Sequence, residues 1–533
     1  MAIAEPTTHF WNAGGTDLIT GQDVLGVREY DQNLEQEWVA GITTISLRAR
    51  YMTLLPWVFG EFYHRHLDAS GTGNCIEVEW QVVLTRLAFL CTMATNHGQR
   101  WGEVGRVYGT IGNRTFRYHL QEIVEKGVVV LPEPQIITDI LDTYIMPCAV
   151  FGIVETNYGA DKLPVKLTNR GQDIYEIRQH ALQQNPLVDL LFSGGALTIG
   201  MLELWGHPFS LNGFDRAPEE LQVLREAFFH PYHAAASVIS VYRKFTQTVD
   251  WVLSRLEKSE DEDQLSDEVL ARNYRDTVEM GTKADETARA WAEYELRRRI
   301  HFAQEVLMHA FYRTLRSEFA DTGASIEQIV KRWLQMPIDP ERIAQYCVST
   351  IPTLMVALWQ FADACNNQAF RPVEFPWGGI WAMNSAECAW YAMALLLTCR
   401  SDAERLDTNV EHQRLIPDPF RTLLFDILDT QREQPVSAVV MSVLEQAVVV
   451  AHLDTTMRKM GAGQKCSLRF YPESRVIHPL PNSFGAGISN NRLGSVMGML
   501  ADLGLCLRVE NTSFAMDDVT KATAAPWRIV HET

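Results

Sequence analysis

Three polar residues near the carboxyl end of the chain stand at the start of a predicted helix, where they could contact nucleic-acid bases. They are Asn490, Asn491 and Arg492. Asparagine can pair with adenine, and arginine with guanine, through two hydrogen bonds each. Apolar residues at helical spacing are predicted to face inward: Leu493, Val496, Met497, Leu500 and Leu503. This pattern places Asn490, Asn491, Arg492, Ser495 and Met499 on the predicted outer face, where a recognition helix meets a groove.

The distribution of charge supports the same region as an anion-binding surface. The formal net charge of the 533 residues is −19, which argues against a general nucleic-acid coat because non-specific affinity comes from neutralising phosphates. Residues 458–510 nevertheless hold seven basic and three acidic residues, a local excess of +4. Lys465 and Arg508 in this window are predicted phosphate contacts beside Arg492.

A second region has a weaker excess, with five basic and three acidic residues over 100–126. Arg114 and Arg117 fall on one face of its predicted helix and could touch phosphate, with His119 nearby and Arg106 on the preceding turn. A purely structural role is the favoured interpretation of this second helix, since its local charge is small.

Both regions share one order of elements: a short amphipathic helix, a glycine between apolar residues, and a β-prone run. Gly127 precedes Val128–Val130 in the first, and Gly504 precedes Leu505–Val509 in the second. Glycine takes the left-handed conformation that ends many helices. The order predicts two winged helix-turn-helix units. Because such a fold also docks proteins, contact with DNA and contact with a partner protein stay open as alternatives.

Metal chemistry is suggested by His64-Arg65-His66-Leu67-Asp68. The run resembles the start of the HxHxDH motif of metallo-β-lactamase-like hydrolases, which implies two histidines and an aspartate at a dinuclear zinc site. The last histidine of that motif is Ala69 here, and histidines two apart point to opposite faces of a helix. A polar helix end is favoured, and a metal-dependent hydrolase is a third hypothesis. No P-loop, GxSxG or HExxH motif occurs, so the sequence leaves activity open, favours a non-enzymatic role and predicts no cofactor, metal or small-molecule substrate.

The elements that position these residues are predicted to be mainly α-helical and divided into several domains. The predicted segments are 1–70 (an N-terminal stretch and a helix kinked at Pro56), 71–182 (winged-helix-like), 183–435 (helical, with an acidic loop near 257–268) and 436–533 (winged-helix-like). Nine scattered cysteines without CxxC argue against a disulfide framework. No signal peptide or membrane span is predicted, so we expect a cytoplasmic protein without membrane contact.

The run Gly41–Trp57 resembles the opening of uncharacterised bacterial proteins encoded beside restriction or phage-defence genes. The resemblance covers 17 residues and assigns no catalytic residue; it implies a bacterial setting and a defence role. Within the run, Arg48 and Arg50 could bind an anion but more often pair with carboxylates. Together these observations predict a non-enzymatic DNA-binding or DNA-associated subunit of a bacterial multi-protein system, working with protein partners. The alternatives are a protein-docking scaffold and the metal-dependent hydrolase.

Overall fold

The structure is a computed structural model that describes residues 23–66, 77–99, 107–133, 140–156, 165–231, 236–259, 263–344, 353–367, 379–406, 418–461, 466–481, 483–510 and 512–528. Helices dominate these residues, and strands are short and few. The predicted fold class, a mainly α-helical protein of more than one domain, is confirmed.

The α-helices follow one another along the chain as α1 Arg28–Trp38, α2 Tyr51–His66, α3 Glu77–Gly98, α4 Arg117–Lys126, α5 Ile140–Val150, α6 Asn169–Ala181, α7 Pro186–Ser193, α8 Ile199–Trp205, α9 Pro218–Phe229, α10 Ala236–Lys258, α11 Ser266–Met280, α12 Glu286–Glu318, α13 Ile326–Leu334, α14 Pro340–Ala344, α15 Leu358–Asn367, α16 Gly379–Ala382, α17 Ser385–Arg405, α18 Pro419–Thr430, α19 Val436–Val443, α20 Ala451–Gly461, α21 Leu493–Asp502 and α22 Asp518–Ala524. A π-helical stretch, Leu444–Val450, joins α19 to α20.

The strands are β1 Val128–Val130, β2 Val154–Thr156, β3 Val165–Leu167, β4 Ala196–Thr198, β5 Gln264–Leu265, β6 Phe470–Glu473, β7 Val476–Pro479, β8 Leu507–Arg508 and β9 Ser513–Ala515. All pairs are antiparallel: β1 with β4, β2 with β3, β6 with β7, and a three-stranded sheet in the order β5-β9-β8. The strand predicted after Gly127 is therefore present, but its partner is β4 and not a strand of the predicted segment 71–182.

The chain forms two compact units. Unit 1 contains Met1–Leu34 and Leu270–Ser489, and unit 2 contains Glu35–Val269 and Asn490–Thr533. The predicted segment 436–533 is consequently divided, with 436–489 in unit 1 and 490–533 in unit 2. Sequence periodicity does not reveal this division, because it depends on strand pairing. Strand β5, at residues 264–265, pairs with β9 of the hairpin β8–β9.

Unit 1 is built around α12, a helix whose middle is buried on every side. Its apolar residues, such as Phe302 and Leu307, join a core with Trp390 of α17. The same helix buries His301, whose ring nitrogens lie 2.8 Å from Asp31 Oδ1 and 3.1 Å from Asp418 Oδ2. Burial alone would lower the pKa of His301, but the two carboxylates raise it to about 10. The imidazolium thus ties three segments of unit 1 together.

Val436–Met460 is one helical stretch that, by length and composition, could cross a membrane; 61% of its most apolar window is buried within the protein. Among the described residues it is the one stretch with that property.

Unit 2 is held by arginines that the sequence places close to one another in the Gly41–Trp57 run. Arg48 Nε lies 2.9 Å from Asp502 Oδ2, and Arg50 Nη2 lies 3.0 Å from Glu220 Oε2. All four side chains are at least nine-tenths buried. The expectation that Arg48 and Arg50 pair with carboxylates is confirmed, and their role is to join distant parts of the chain.

Helix α2 contains Pro56, as predicted. The helix begins at Tyr51, and in the preceding segment the Ser46 hydroxyl accepts the Thr43 N–H at 2.9 Å.

Candidate nucleic-acid interface

Arg492, the first residue predicted to contact bases, is turned into unit 2. Its Nε lies 3.2 Å from Glu35 Oε2, and its Nη1 donates to Ile42 O at 3.1 Å. The side chain keeps 13% of its exposure and that of Glu35 keeps 1%. The placement of Arg492 on an outer face is therefore wrong. Its guanidinium neutralises a buried carboxylate, which would otherwise carry a large desolvation cost.

Asn491 is buried as well and makes two structural hydrogen bonds. Its Nδ2 donates to Asp267 Oδ1 at 2.8 Å, and its Oδ1 accepts the Gly494 N–H at 3.1 Å. The second bond satisfies a first-turn amide of α21, and the predicted outward position of Asn491 is wrong. Asn490 is exposed, as predicted.

The rest of the predicted outer face of α21 is also buried, since Ser495 and Met499 have almost no accessible surface. Two glycines explain the difference. A Cβ at Gly498 would lie 2.9 Å from Leu47 O, and one at Gly494 would lie 3.1 Å from the Ser266 hydroxyl. Because these positions lack side chains, other segments pack closely where the sequence pattern suggested a free surface. Helix α21 is a core helix of unit 2.

Arg508 belongs to the same internal cluster. Its Nη2 donates to Gly498 O at 2.7 Å and lies 3.3 Å from Asp502 Oδ1, and its guanidinium lies over the Tyr108 ring, 4.8 Å from the centroid. Burial raises the pKa of Tyr108, which Arg508 partly offsets. Arg508 is thus committed to contacts inside unit 2.

Lys465, the remaining predicted contact of the tail, lies outside the described residues. The charge excess of 458–510 is not the charge of one surface, because Arg469 and Arg475 belong to unit 1 whereas Arg492 and Arg508 belong to unit 2. A sum along the chain could not detect this division.

The second predicted region has the opposite character. Arg114 and Arg117 are both exposed, and neither forms an ion pair with any residue that the structure describes. The Phe116 N–H donates to Gly112 O at 2.8 Å, so the chain turns helically before α4 begins. Arg114 lies in this turn, three residues before Arg117, which is the first residue of α4.

Burial on the other side of α4 fixes this orientation. Phe116, Leu120 and Ile123 have no accessible surface. Gly127 closes the helix at φ 74°, and its N–H donates to Ile123 O at 2.8 Å. The glycine that was predicted to end this helix is confirmed in the left-handed conformation, and β1 follows at once.

Tyr118 is a residue of this surface that sequence reasoning missed. It follows Arg117 directly and keeps 81% of its accessible surface. The available signal was the apolar spacing of Phe116, Leu120 and Ile123, which leaves position 118 outside the buried side of α4. Arg114, Arg117 and Tyr118 are called the α4 stripe below.

His119 and Arg106 do not add to the α4 stripe. The ring of His119 packs edge-on against Phe89 and Phe116, with centroids 5.6 and 6.1 Å apart. Arg106 lies outside the described residues.

The predicted metal ligands are not brought together in the part of the chain that the structure covers. His64 is exposed and stacks on Tyr175 with ring centroids 5.5 Å apart, and Asp68 and the side chain of His66 are not described. Among the described residues, no group of three or more His, Cys, Asp or Glu side chains could hold a metal ion.

No protein-family model, no curated protein and no solved structure matches this chain.

Proposed function

We propose that this chain is a non-enzymatic, DNA-associated subunit of a bacterial multi-protein system and that it contacts DNA through Arg114 and Arg117. The observation that carries the proposal is the exposure of both arginines, one in the turn before α4 and one at its first residue, without a carboxylate partner among the described residues. Desolvating an arginine that is already paired costs more than engaging a free one, so these two are better suited to phosphate than Arg492 or Arg508.

The strength of this contact is limited, which suits a subunit better than an autonomous DNA-binding protein. Two phosphate contacts change log K by about 2 units for each tenfold change in salt. The net charge of −19 opposes binding elsewhere on the chain. Further contacts would come from protein partners, and the phage-defence setting of that assembly rests on the Gly41–Trp57 resemblance alone.

The winged-helix interpretation belongs to the same proposal. In its support, α21 is followed by the hairpin β8–β9, and β5 extends that hairpin to three strands. Helix α4 is followed by β1, which pairs with β4. In this proposal α21 supports the unit from within, and α4 supplies the contact surface.

The test is a salt titration of binding to a labelled 30-base-pair duplex, followed by fluorescence anisotropy. Arg114→Ala combined with Arg117→Ala is expected to lower affinity at least about tenfold at low salt. The slope of log K against log salt should flatten by about 2 units.

Arg432→Ala combined with Arg475→Ala is the matched control. Both arginines are exposed residues of unit 1, so the same charge is removed elsewhere. The control should bind as the unmodified protein does. Absence of binding by the unmodified protein at low salt would refute the proposal, as would equal losses in the two double variants.

Docking of a partner protein is a second candidate function, favoured by one face and one edge of the β1–β4 pair. Val130 is 66% exposed and lies opposite the exposed Ala196, whereas Val129 and Leu197 are buried on the other face. The Leu131 N–H donates to Gly195 O at 2.9 Å. By the alternation of an antiparallel strand, the polar backbone groups of Val130 then point away from β4.

Such an edge accepts an extended segment of a partner. Val130→Pro removes one outward N–H and leaves the β1–β4 hydrogen bonds in place, so it should weaken binding of a purified partner encoded by a neighbouring gene. Unchanged affinity would rule out this edge as the docking site.

A further inference from the structure

The α4 stripe contains a large aromatic ring that the described part of the protein does not use. Tyr118 has no ring contact, cation–π contact or hydrogen bond to another described residue. Two other tyrosines of unit 2 provide a contrast, because Tyr51 and Tyr144 are fully buried and their ring centroids lie 4.9 Å apart. Tyr118 cannot turn inward, since the opposite side of α4 is filled by Leu120 and Ile123.

The neighbours of the ring define the ligand that it suits. The exposed Arg117 precedes Tyr118 directly, the exposed Arg114 lies in the turn before α4, and the exposed Gln121 comes one turn further along the helix. The start of α4 and the turn before it thus offer two cations, one aromatic face and one amide. Cations bind phosphates, an aromatic ring stacks on a base, and an amide bonds the edges of bases.

The far end of α4 sets a limit on this surface. Glu122 forms an ion pair with Lys126 at 2.9 Å, and Glu125 is exposed and forms no side-chain hydrogen bond or ion pair with a described residue. Carboxylates repel phosphates, so a polynucleotide would cross the first half of the helix and not follow its whole length.

Bases in a duplex are stacked on one another and hide their faces, whereas an unpaired base can stack on a protein ring. We propose that the α4 stripe binds single-stranded nucleic acid, with one unpaired base stacked on Tyr118 and the flanking phosphates on Arg114 and Arg117. This inference rests on the proposed function and adds the class of nucleic acid that the site selects. Duplex DNA would engage the two arginines only.

The test compares a 20-nucleotide single strand with the duplex of the same sequence, using full-length protein in one buffer. The unmodified protein should bind the single strand more tightly. Tyr118→Ala should lower affinity for the single strand by about tenfold and leave affinity for the duplex unchanged. Tyr118→Phe keeps the aromatic face and should retain the preference, which separates stacking from hydrogen bonding by the hydroxyl.

Val124→Ala serves as the control, because it shortens another exposed side chain of the same helix. Two negative results can be told apart. If Tyr118→Ala changes binding of both nucleic acids equally or of neither, the stacking inference fails while duplex binding through the arginines stands. If the unmodified protein binds neither form at low salt, the proposed function fails and the inference fails with it.

Discussion

Helices α4 and α21 share one sequence order, yet unit 2 uses them in opposite ways. Each ends before a glycine in the left-handed conformation, Gly127 at φ 74° and Gly504 at φ 71°, and each precedes a strand. The cations of α4 remain exposed, whereas Arg492 and Arg508 beside α21 are held by Glu35 and Asp502. Helical spacing determines on which side of a helix a side chain lies. Whether that side is exposed to solvent depends on the other segments that pack against it.

The largest expected effect comes from breaking the buried pair beside α21. Asp502 accepts hydrogen bonds from Arg48 and from the Ala49 N–H. Asp502→Asn would leave the Arg48 guanidinium buried without its counterion, and we expect unit 2 to lose about 3–5 kcal/mol of unfolding free energy. The loss is measured by urea unfolding, with hydrogen exchange of the α2 backbone amides as the readout. Glu125→Gln, the matched change on the exposed end of α4, should change stability by less than about 0.5 kcal/mol.

A pH titration distinguishes inward carboxylates from outward ones. Burial would raise the pKa of Glu220, but Arg178 and Arg50 lower it to about 2. A carboxyl group whose folded pKa lies below its unfolded value of 4.5 stabilises the fold above pH 4.5, and this contribution is lost as the pH falls towards 2.

Glu220→Gln should therefore flatten the dependence of stability on pH between about 4.5 and 2, a change of at most about 3 kcal/mol. Glu125→Gln in α4 removes an exposed carboxylate that forms no ion pair with a described residue, and it should leave the dependence unchanged. Acid unfolding curves of both variants check the difference, and a flattened curve for Glu125→Gln alone would reverse the comparison.

Arg492 gives a smaller effect, because its side chain is not fully enclosed. Arg492→Ala would remove the cation that lies against the buried carboxylate of Glu35, and we expect a loss of about 2–3 kcal/mol. In a double-mutant cycle, adding Glu35→Gln should recover part of that loss, since the second change removes the buried negative charge. Additive losses measured by urea unfolding would show that the pair does not couple.

The two glycines give the smallest effects and differ for a visible reason. An alanine in the left-handed conformation costs about 1–2 kcal/mol. At Gly127 nothing lies within 4 Å of an added Cβ, whereas at Gly504 the Cβ would lie 3.2 Å from the Arg225 guanidinium. That guanidinium donates to Leu503 O, so Gly504→Ala should destabilise unit 2 more than Gly127→Ala. Thermal unfolding of the two variants tests the order.

Local features of both helices could be predicted from the sequence, because they depend on neighbouring residues. The mainly α-helical class and the left-handed glycines follow from periodicity and residue type. The burial of Arg492 depends on Glu35, more than 450 positions away in the chain, and no local pattern contains that information.

The candidate site shows the same limit. The spacing of Arg114 and Arg117 predicts a possible phosphate contact. The local charge excess around them is smaller than that of residues 458–510, so the sequence favours the tail as the nucleic-acid interface. The tail excess combined residues of two units, some of which neutralise buried carboxylates. A sum of charges along a segment describes an accessible surface only where the carboxylates that neutralise its cations lie in the same segment. Here the partner of Arg492 is Glu35, far outside the counted window.

Chemical labelling of arginine measures the central contrast directly. The native protein would be treated with phenylglyoxal for short times, and the rate of modification at each arginine would be followed by peptide mass spectrometry. Arg114 and Arg117 should react nearly as fast as in the urea-unfolded chain, whereas Arg48, Arg492 and Arg508 should react only after unfolding. If Arg492 were modified as fast as Arg114 in the native protein, the contrast between an enclosed Arg492 and an exposed Arg114 would be contradicted.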